Sequence, residues 1–384
     1  QNYNAGGTAQ FGFMVTSPHN QGTEADPNTQ TVKNPGGKLF GGYDPDSGGF
    51  VPWITPGDAS YLLGKPAEGR PKHAYTDSAS SATSMFAGIK TYNNAIGVGP
   101  SGEQVPSVAH DLQQQGFAVG VVSSVPISHA TPAAAYAHNV ARKDYQDIAR
   151  DMLGLPSVAH PDVALPGMDV VIGGGYGKTT DEETEQGKNF QQGNLYLSDE
   201  DLSTVSVTNG GKYVTAVRSP GKPGERILKR AARKASAGGT RLLGFFGIGE
   251  YDGHLPFQTA NGDHSPVRGY AKNPEQYTKD DLIENPNLAQ MTEAALTVLS
   301  SRPKGFWLLV EAGDVDWANH DNNIDNSIGA VNSGDAAVKV ITDWVDANSN
   351  WQESILIVTS DHGHLFHLTS PELLVKPASA DLDE

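Results

Sequence analysis

Five apolar runs constrain the fold more than any other feature of the chain. They are FAVGVVSSV (117–125), MDVVIGGG (168–175), RLLGFFGIG (241–249), GFWLLVEAG (305–313) and SILIVTSD (354–361). Each has strand length and little polar alternation, as expected of a strand covered on both faces. Three other stretches place apolar residues at helical spacing: SVAHDLQQQG (107–116), LAQMTEAALTVLSS (288–301) and IGAVNSGDAAVKVITDWVDA (328–347). Strands alternating with helices predict an α/β protein, here a three-layer α/β/α sandwich with a large, mostly parallel central sheet. One domain over residues 1–384 is expected. A loop-rich N-terminal segment occupies 1–72, and the polar stretch 181–239, without a strand–helix rhythm, is read as an insertion.

Composition narrows the partners. The chain has 27 basic and 44 acidic residues, a net charge of −17, which disfavours nucleic acid and anionic membrane surfaces. It has no cysteine, so thiolate catalysis, disulfides and Cys-based zinc sites are excluded. No apolar run reaches 18 residues, so no transmembrane helix is expected. The opening QNYNAGGTAQFG carries no basic-then-apolar leader.

Reactive residue types collect just after the apolar runs. His129 and Thr131 follow the first, Glu311, Asp314 and Asp316 sit at the fourth, and Asp361 and His362 end the fifth. Open α/β sheets bind ligands at the carboxyl ends of their strands, so three strands bring these groups toward one rim. Asp316 and His320 are four apart in DVDWANHDNN, which on a helix puts a carboxylate and an imidazole on one face, a pair suited to zinc. SDHGHLFH (360–367) adds Asp361, His362, His364 and His367, as ligands or as groups that orient ligands. Arg142 is either a solvated helix residue or a bidentate clamp for phosphate. In TDSASSATSMFAGIK, Asp77 and Ser78 precede a helix, so Ser78 is either a cap or a nucleophile. VVIGGGYGKTT (170–180) is no P-loop, because Ile172 stands where the motif needs glycine. No G-x-S-x-G surrounds Ser78.

Taken together, TDSASSATSMFAGIKTYNNAIGV, SHATPAAAYAHNVARKD, WLLVEAGDVDWANHDNN and IVTSDHGH resemble, in order, four blocks of the alkaline phosphatase family. The resemblance implies a phosphomonoesterase acting through a phosphoserine on Ser78. It also implies two zinc ions, the first on Asp316 and His320 and the second on Asp361 and His362, with one magnesium ion on Thr131 and Glu311. Arg142, with Ser78 and His129, would bind phosphate, while Asp77, His364 and Trp317 would support the groups in contact with it. The family's N-terminal Asp-Gly-Met-Gly strand has no counterpart here, since Asp44, Asp46 and Asp58 lie in Gly/Pro-rich sequence. Its later zinc-ligand histidine is also without a counterpart. A small phosphomonoester substrate, a homodimer and a periplasmic or secreted location are further implications. The competing readings are an impaired or truncated phosphatase-like protein with a metal-binding or structural role, a phosphodiesterase, and a metal-free serine hydrolase.

Overall fold

Five parallel strands form the centre of the protein, whose computed structural model describes residues 23–33, 76–180, 185–265 and 274–364. The strands are β1 (Ala118–Pro126), β2 (Val170–Gly174), β3 (Tyr213–Val217), β4 (Arg241–Phe245) and β5 (Phe306–Glu311). Their spatial order is β3-β4-β2-β1-β5, every neighbouring pair parallel. From β2 the chain runs out to the edge at β3, inserts β4 between β3 and β2, and then crosses to place β5 on the other side of β1. That reversal opens a crevice at the carboxyl ends of β1 and β5, where such sheets hold ligands.

The pleat sorts side chains into two cores. Val119 and Val121 of β1, Val171 of β2, and Leu243 and Phe245 of β4 face one layer. That layer is built on α1 (Ser78–Ala87), α3 (Ala130–Ala134) and α4 (Tyr145–Leu153), through Ala79, Ala133, Ile148 and Met152. Ala118 and Val122, Val170 and Ile172, and Leu242 face the other. There they meet α6 (Gly224–Gly238) and α8 (Leu288–Leu299), through Leu228, Ala232, Met291 and Ala295. The three layers and the parallel sheet agree with the sequence expectation. Shorter helices are α2 (Val108–Gln114), α5 (Asp199–Val205), α7 (Lys279–Glu284) and α9 (Asp314–His320), and the long α10 spans Ile324–Asn348.

Two expectations are corrected. The insertion reading of 181–239 fails for its second half, because Tyr213–Val217 is the edge strand β3 and Gly224–Gly238 is the helix α6 that covers it. The signal was hidden by charge: GERILKRAARKASAG buries only Gly224, Leu228, Ala231, Ala232 and Ala235. The fifth apolar run is not a buried strand. Residues 354–360 have no ladder partner among the described residues, and Ile355, Ile357 and Val358 are 90%, 78% and 53% exposed. A strand exists only through a neighbour that satisfies its backbone groups, and no described strand runs beside this one.

Within the loop-rich N-terminal segment, Ala25–Asp26 pairs antiparallel with Thr31–Val32, and Gln30 bonds both the Asn139 side chain and the Val140 N–H. The rest of that segment, with Asp44, Asp46 and Asp58, lies outside the described residues, as does His367.

Candidate active site

The capping question resolves in favour of Asp77. Its Oδ1 accepts the Ser80 N–H at 3.0 Å and the Ser80 hydroxyl at 2.8 Å, so Asp77 is the N-cap of α1. Ser78 is thereby freed from capping and occupies the first helical position. Its Oγ lies 3.0 Å from His362 Nε2, across 284 residues of sequence. The other Asp77 oxygen accepts from the Asn94 N–H at 2.9 Å and from Arg142 Nη1 at 3.0 Å. One carboxylate thus starts the helix and aims the guanidinium beside Ser78.

β5 delivers the acids. Ser123 and Glu311 are register partners across β1 and β5, and the Ser123 hydroxyl donates to Glu311 Oε2 at 2.5 Å. Burial pushes the Glu311 carboxyl up to about 7; hydrogen bonds from Ser123 and Thr131 oppose the shift, and the charges of Asp361 and Asp316 add to it. Thr131 and Glu311 are therefore neighbours, two oxygen donors on one side of the site. The chain then turns at Gly313, where a Cβ would sit 2.7 Å from Val125 Cγ2. Only glycine lets α9 start this close to β1. Asp314 faces inward, accepting from the Ser124 hydroxyl at 2.8 Å, and burial raises its carboxyl.

Asp316 faces the opposite way, into a histidine cluster. Its Oδ1 lies 2.6 Å from His364 Nε2, 3.6 Å from His320 Nε2 and 3.8 Å from His362 Nε2. Burial pushes the Asp316 carboxyl up, but the hydrogen bond from His364 and the three imidazoles outweigh it and hold the group low. Ligand atoms of Asp316, His320 and His364 lie within 4.8 Å of one another, a set that fits zinc in donor type and spacing. Of the two roles open to His364 from the sequence, ligand or supporting group, its place in the cluster fits the first. Asp361 Oδ2 lies 3.4 Å from His362 Nε2, and its backbone carbonyl accepts from the Ser81 hydroxyl at 2.7 Å. That bond docks the 361–364 turn onto α1.

An aromatic wall closes one side. Trp317 meets the rings of His129 at 5.4 Å, His254 at 5.3 Å and Phe257 at 6.3 Å between centroids. Burial lowers His129 to about 3, with the Arg142 charge acting the same way, so its imidazole is neutral. His254, stacked on Phe257 at 3.8 Å and 3.2 Å from Glu275, was not singled out from the sequence. It is a lone histidine in a Gly/Pro loop and gives no local signal. Ser123 and Ser124 did give one, as two adjacent hydroxyls inside a strand buried along its whole length.

Fold and site together define an α/β protein with a serine, an arginine and metal-type ligands gathered at the carboxyl edge of a parallel sheet. The chain belongs to the alkaline phosphatase family, whose sequence profile, described as "Alkaline phosphatase", it matches over residues 61–379. It is 30% identical to alkaline phosphatase 4 of Bacillus subtilis over 295 residues, covering 76% of this chain and 50% of that protein. It is also 30% identical to the alkaline phosphatase of Escherichia coli over 359 residues, covering 86% and 67%. Among solved structures, the cold-active alkaline phosphatase of a Shewanella species aligns with TM-score 0.49 and 26% identity, over 71% of this chain and 51% of that one. The chain spans about half the length of the first curated relatives it matches.

Proposed function

We propose that this protein hydrolyses phosphate monoesters, with Ser78 as the nucleophile and a phosphoserine as the intermediate. Asp316 and His320 would hold one zinc ion, joined by His364. Asp361 and His362 would hold a second, and Thr131 with Glu311 a magnesium ion. Bound metals supply a lower hydroxyl pKa at the nucleophile and neutralise charge on the phosphoryl oxygens.

The observation that carries this reading is a convergence on one nitrogen. Ser78 Oγ, Asp361 Oδ2 and Asp316 Oδ1 lie 3.0, 3.4 and 3.8 Å from His362 Nε2. A Ser-His-Asp triad instead places serine on Nε2 and the carboxylate on Nδ1. Here His362 Nδ1 contacts the Gly363 carbonyl, at 3.2 Å. Three oxygens gathered around one imidazole nitrogen match a set of metal ligands better than a proton relay.

The chain's own groups account for the rest. Ser78 Oγ attacks phosphorus in line, the Oγ–P bond forms, the ester P–O bond breaks and the alcohol leaves; water then cleaves the phosphoserine. Arg142 binds two non-bridging oxygens, held in place by Asp77. The N-terminus of α1 adds its dipole at the phosphate. Neutral His129 and Trp317 shape the wall on the substrate side. The net charge of −17 supports a small phosphomonoester over a polyanion as substrate. Family membership supports one catalytic domain, a homodimer and a location outside the cytoplasm, and no described helix is long and apolar enough to cross a membrane.

Turnover of p-nitrophenyl phosphate tests the proposal. EDTA and Ser78→Ala should each lower kcat by about 10³-fold or more. Acid quenching should trap phosphate on Ser78, read by mass spectrometry. Activity that survives EDTA but not Ser78→Ala would establish the metal-free Ser78–His362 hydrolase instead. Fully metallated protein with no turnover would favour the structural or metal-binding reading.

A further inference from the structure

We propose a further zinc site at His138, Asp151 and His160, sharing no residue with the candidate active site. Ligand atoms of these three residues lie within 4.8 Å of one another. They come from three segments: His138 from the connection between α3 and α4, Asp151 from the last turn of α4, and His160 from the loop that leads to β2.

His138 carries the argument. It is only 6% exposed, and its Nε2 lies 3.0 Å from the Val105 carbonyl, to which it can only donate. That bond fixes the neutral tautomer and leaves Nδ1 as a bare lone pair. This Nδ1 is buried and has no hydrogen-bond partner among the described residues. A buried polar atom without a partner is costly and calls for an explanation. A ligating histidine commonly donates its other N–H to a backbone carbonyl, which is the arrangement here.

Asp151 is prepared from both sides. Its Oδ2 accepts from the His138 N–H at 2.9 Å, and its Oδ1 accepts from the Ser157 hydroxyl at 2.5 Å. These bonds hold the carboxylate in place whether or not His160 contacts it. His160 Nδ1 lies 3.0 Å from Asp151 Oδ1, close to the separation of about 3.4 Å between two ligand atoms on a tetrahedral zinc. Two imidazoles and a carboxylate suit zinc, and they leave a fourth position for water. His110 stacks on His138 at 5.1 Å, and its buried Nε2 also lacks a partner among the described residues. A metal here would staple the chain just before Arg142 to the loop at 154–161, stiffening the base from which Arg142 reaches phosphate.

The test uses the full chain carrying Asp316→Asn, His320→Ala, Asp361→Asn, His362→Ala, His364→Ala and Glu311→Gln, so that the ligands beside Ser78 no longer compete. Zinc alone is the probe. Two effects should follow: hydrogen exchange at 154–161 slows, and Tm rises by about 3 °C at a hundredfold excess over Kd. Adding His160→Ala should abolish both effects and lower the zinc content, read by elemental analysis, by one equivalent per chain. The inference is overturned if zinc content is unchanged by His160→Ala, or if zinc leaves exchange at 154–161 unaltered. His160 lies at the rim of the buried cluster, with 11% of its side chain exposed, so a fold control is needed beside its truncation. His160→Gln, which keeps a hydrogen-bonding side chain, should fail to bind zinc equally.

Discussion

The two sides of β1 are built to different standards. Toward β2, every residue of β1 and β2 is buried, and the helices behind them add fully enclosed side chains such as Ile148, Met152 and Leu228. Toward β5, every strand residue is only half-buried, and α10 leaves Ile328 and Val331 44% and 54% exposed. Beyond it, residues 354–360 lie open to solvent. The candidate active site straddles this boundary. Ser78 and Arg142 stand on the dense side, whereas Asp316, His320, Asp361, His362 and His364 come from the sparse side. Positioning of nucleophile and clamp thus rests on close packing, while the ligands depend on a few polar contacts to one another and to α1.

Substitutions can break or sharpen this contrast, and the largest effect is expected in the dense core. Phe246→Ala, at a fully buried position, should cost about 3–5 kcal/mol in urea denaturation. Next comes the boundary itself. Glu311 has a folded value near 7 against 4.5 in the unfolded chain, so the native state holds an extra proton between those pH values. Stability of EDTA-treated protein therefore falls as pH rises from 4.5 to 7. Glu311→Gln should remove that fall, becoming more stable than the parent above pH 7 by up to about 3 kcal/mol while matching it below pH 4.5. If the two stability curves run parallel across this range, Glu311 is not the buried acid described.

Asp77→Ala should cost about 1–2 kcal/mol through the lost cap of α1. It should also raise KM for p-nitrophenyl phosphate, because Arg142 loses the oxygen that aims it. Asp77→Asn should rescue most of the stability, since asparagine also caps, and little of the KM. The smallest effect belongs to the open side: Ile357→Ala should change stability by no more than about 0.5 kcal/mol. A loss of 2 kcal/mol there would mean that 354–360 is covered in solution, and the contrast between the two sides would fail.

Much of this was legible in the chain. Long apolar runs flanked by helical periodicity require a covered parallel sheet, and four of the five runs form one. Acids and histidines placed just after those runs belong at its carboxyl edge, and β1 and β5 bring them there. Two signals misled. The basic helix over 224–238 hides a narrow apolar face, so β3 and α6 looked like an insertion. The run at 354–361 has strand composition, yet composition cannot supply the neighbouring edge a strand needs.

The sequence by itself determined the layers and the kinds of groups at the rim: a serine, an arginine, carboxylates and imidazoles without a single thiol. Helical and strand periods are local, so those features survive being read from a line of residues. Only the tertiary structure decided that Asp77 caps α1 and releases Ser78, that His364 joins Asp316, and that His362 turns one nitrogen to serine and carboxylates alike. It also gathered His138, Asp151 and His160, which carry no motif. These choices depend on which side chains meet across tens to hundreds of residues, and on which nitrogen of each ring faces inward. Packing and hydrogen bonding fix such contacts only when the whole sheet is assembled.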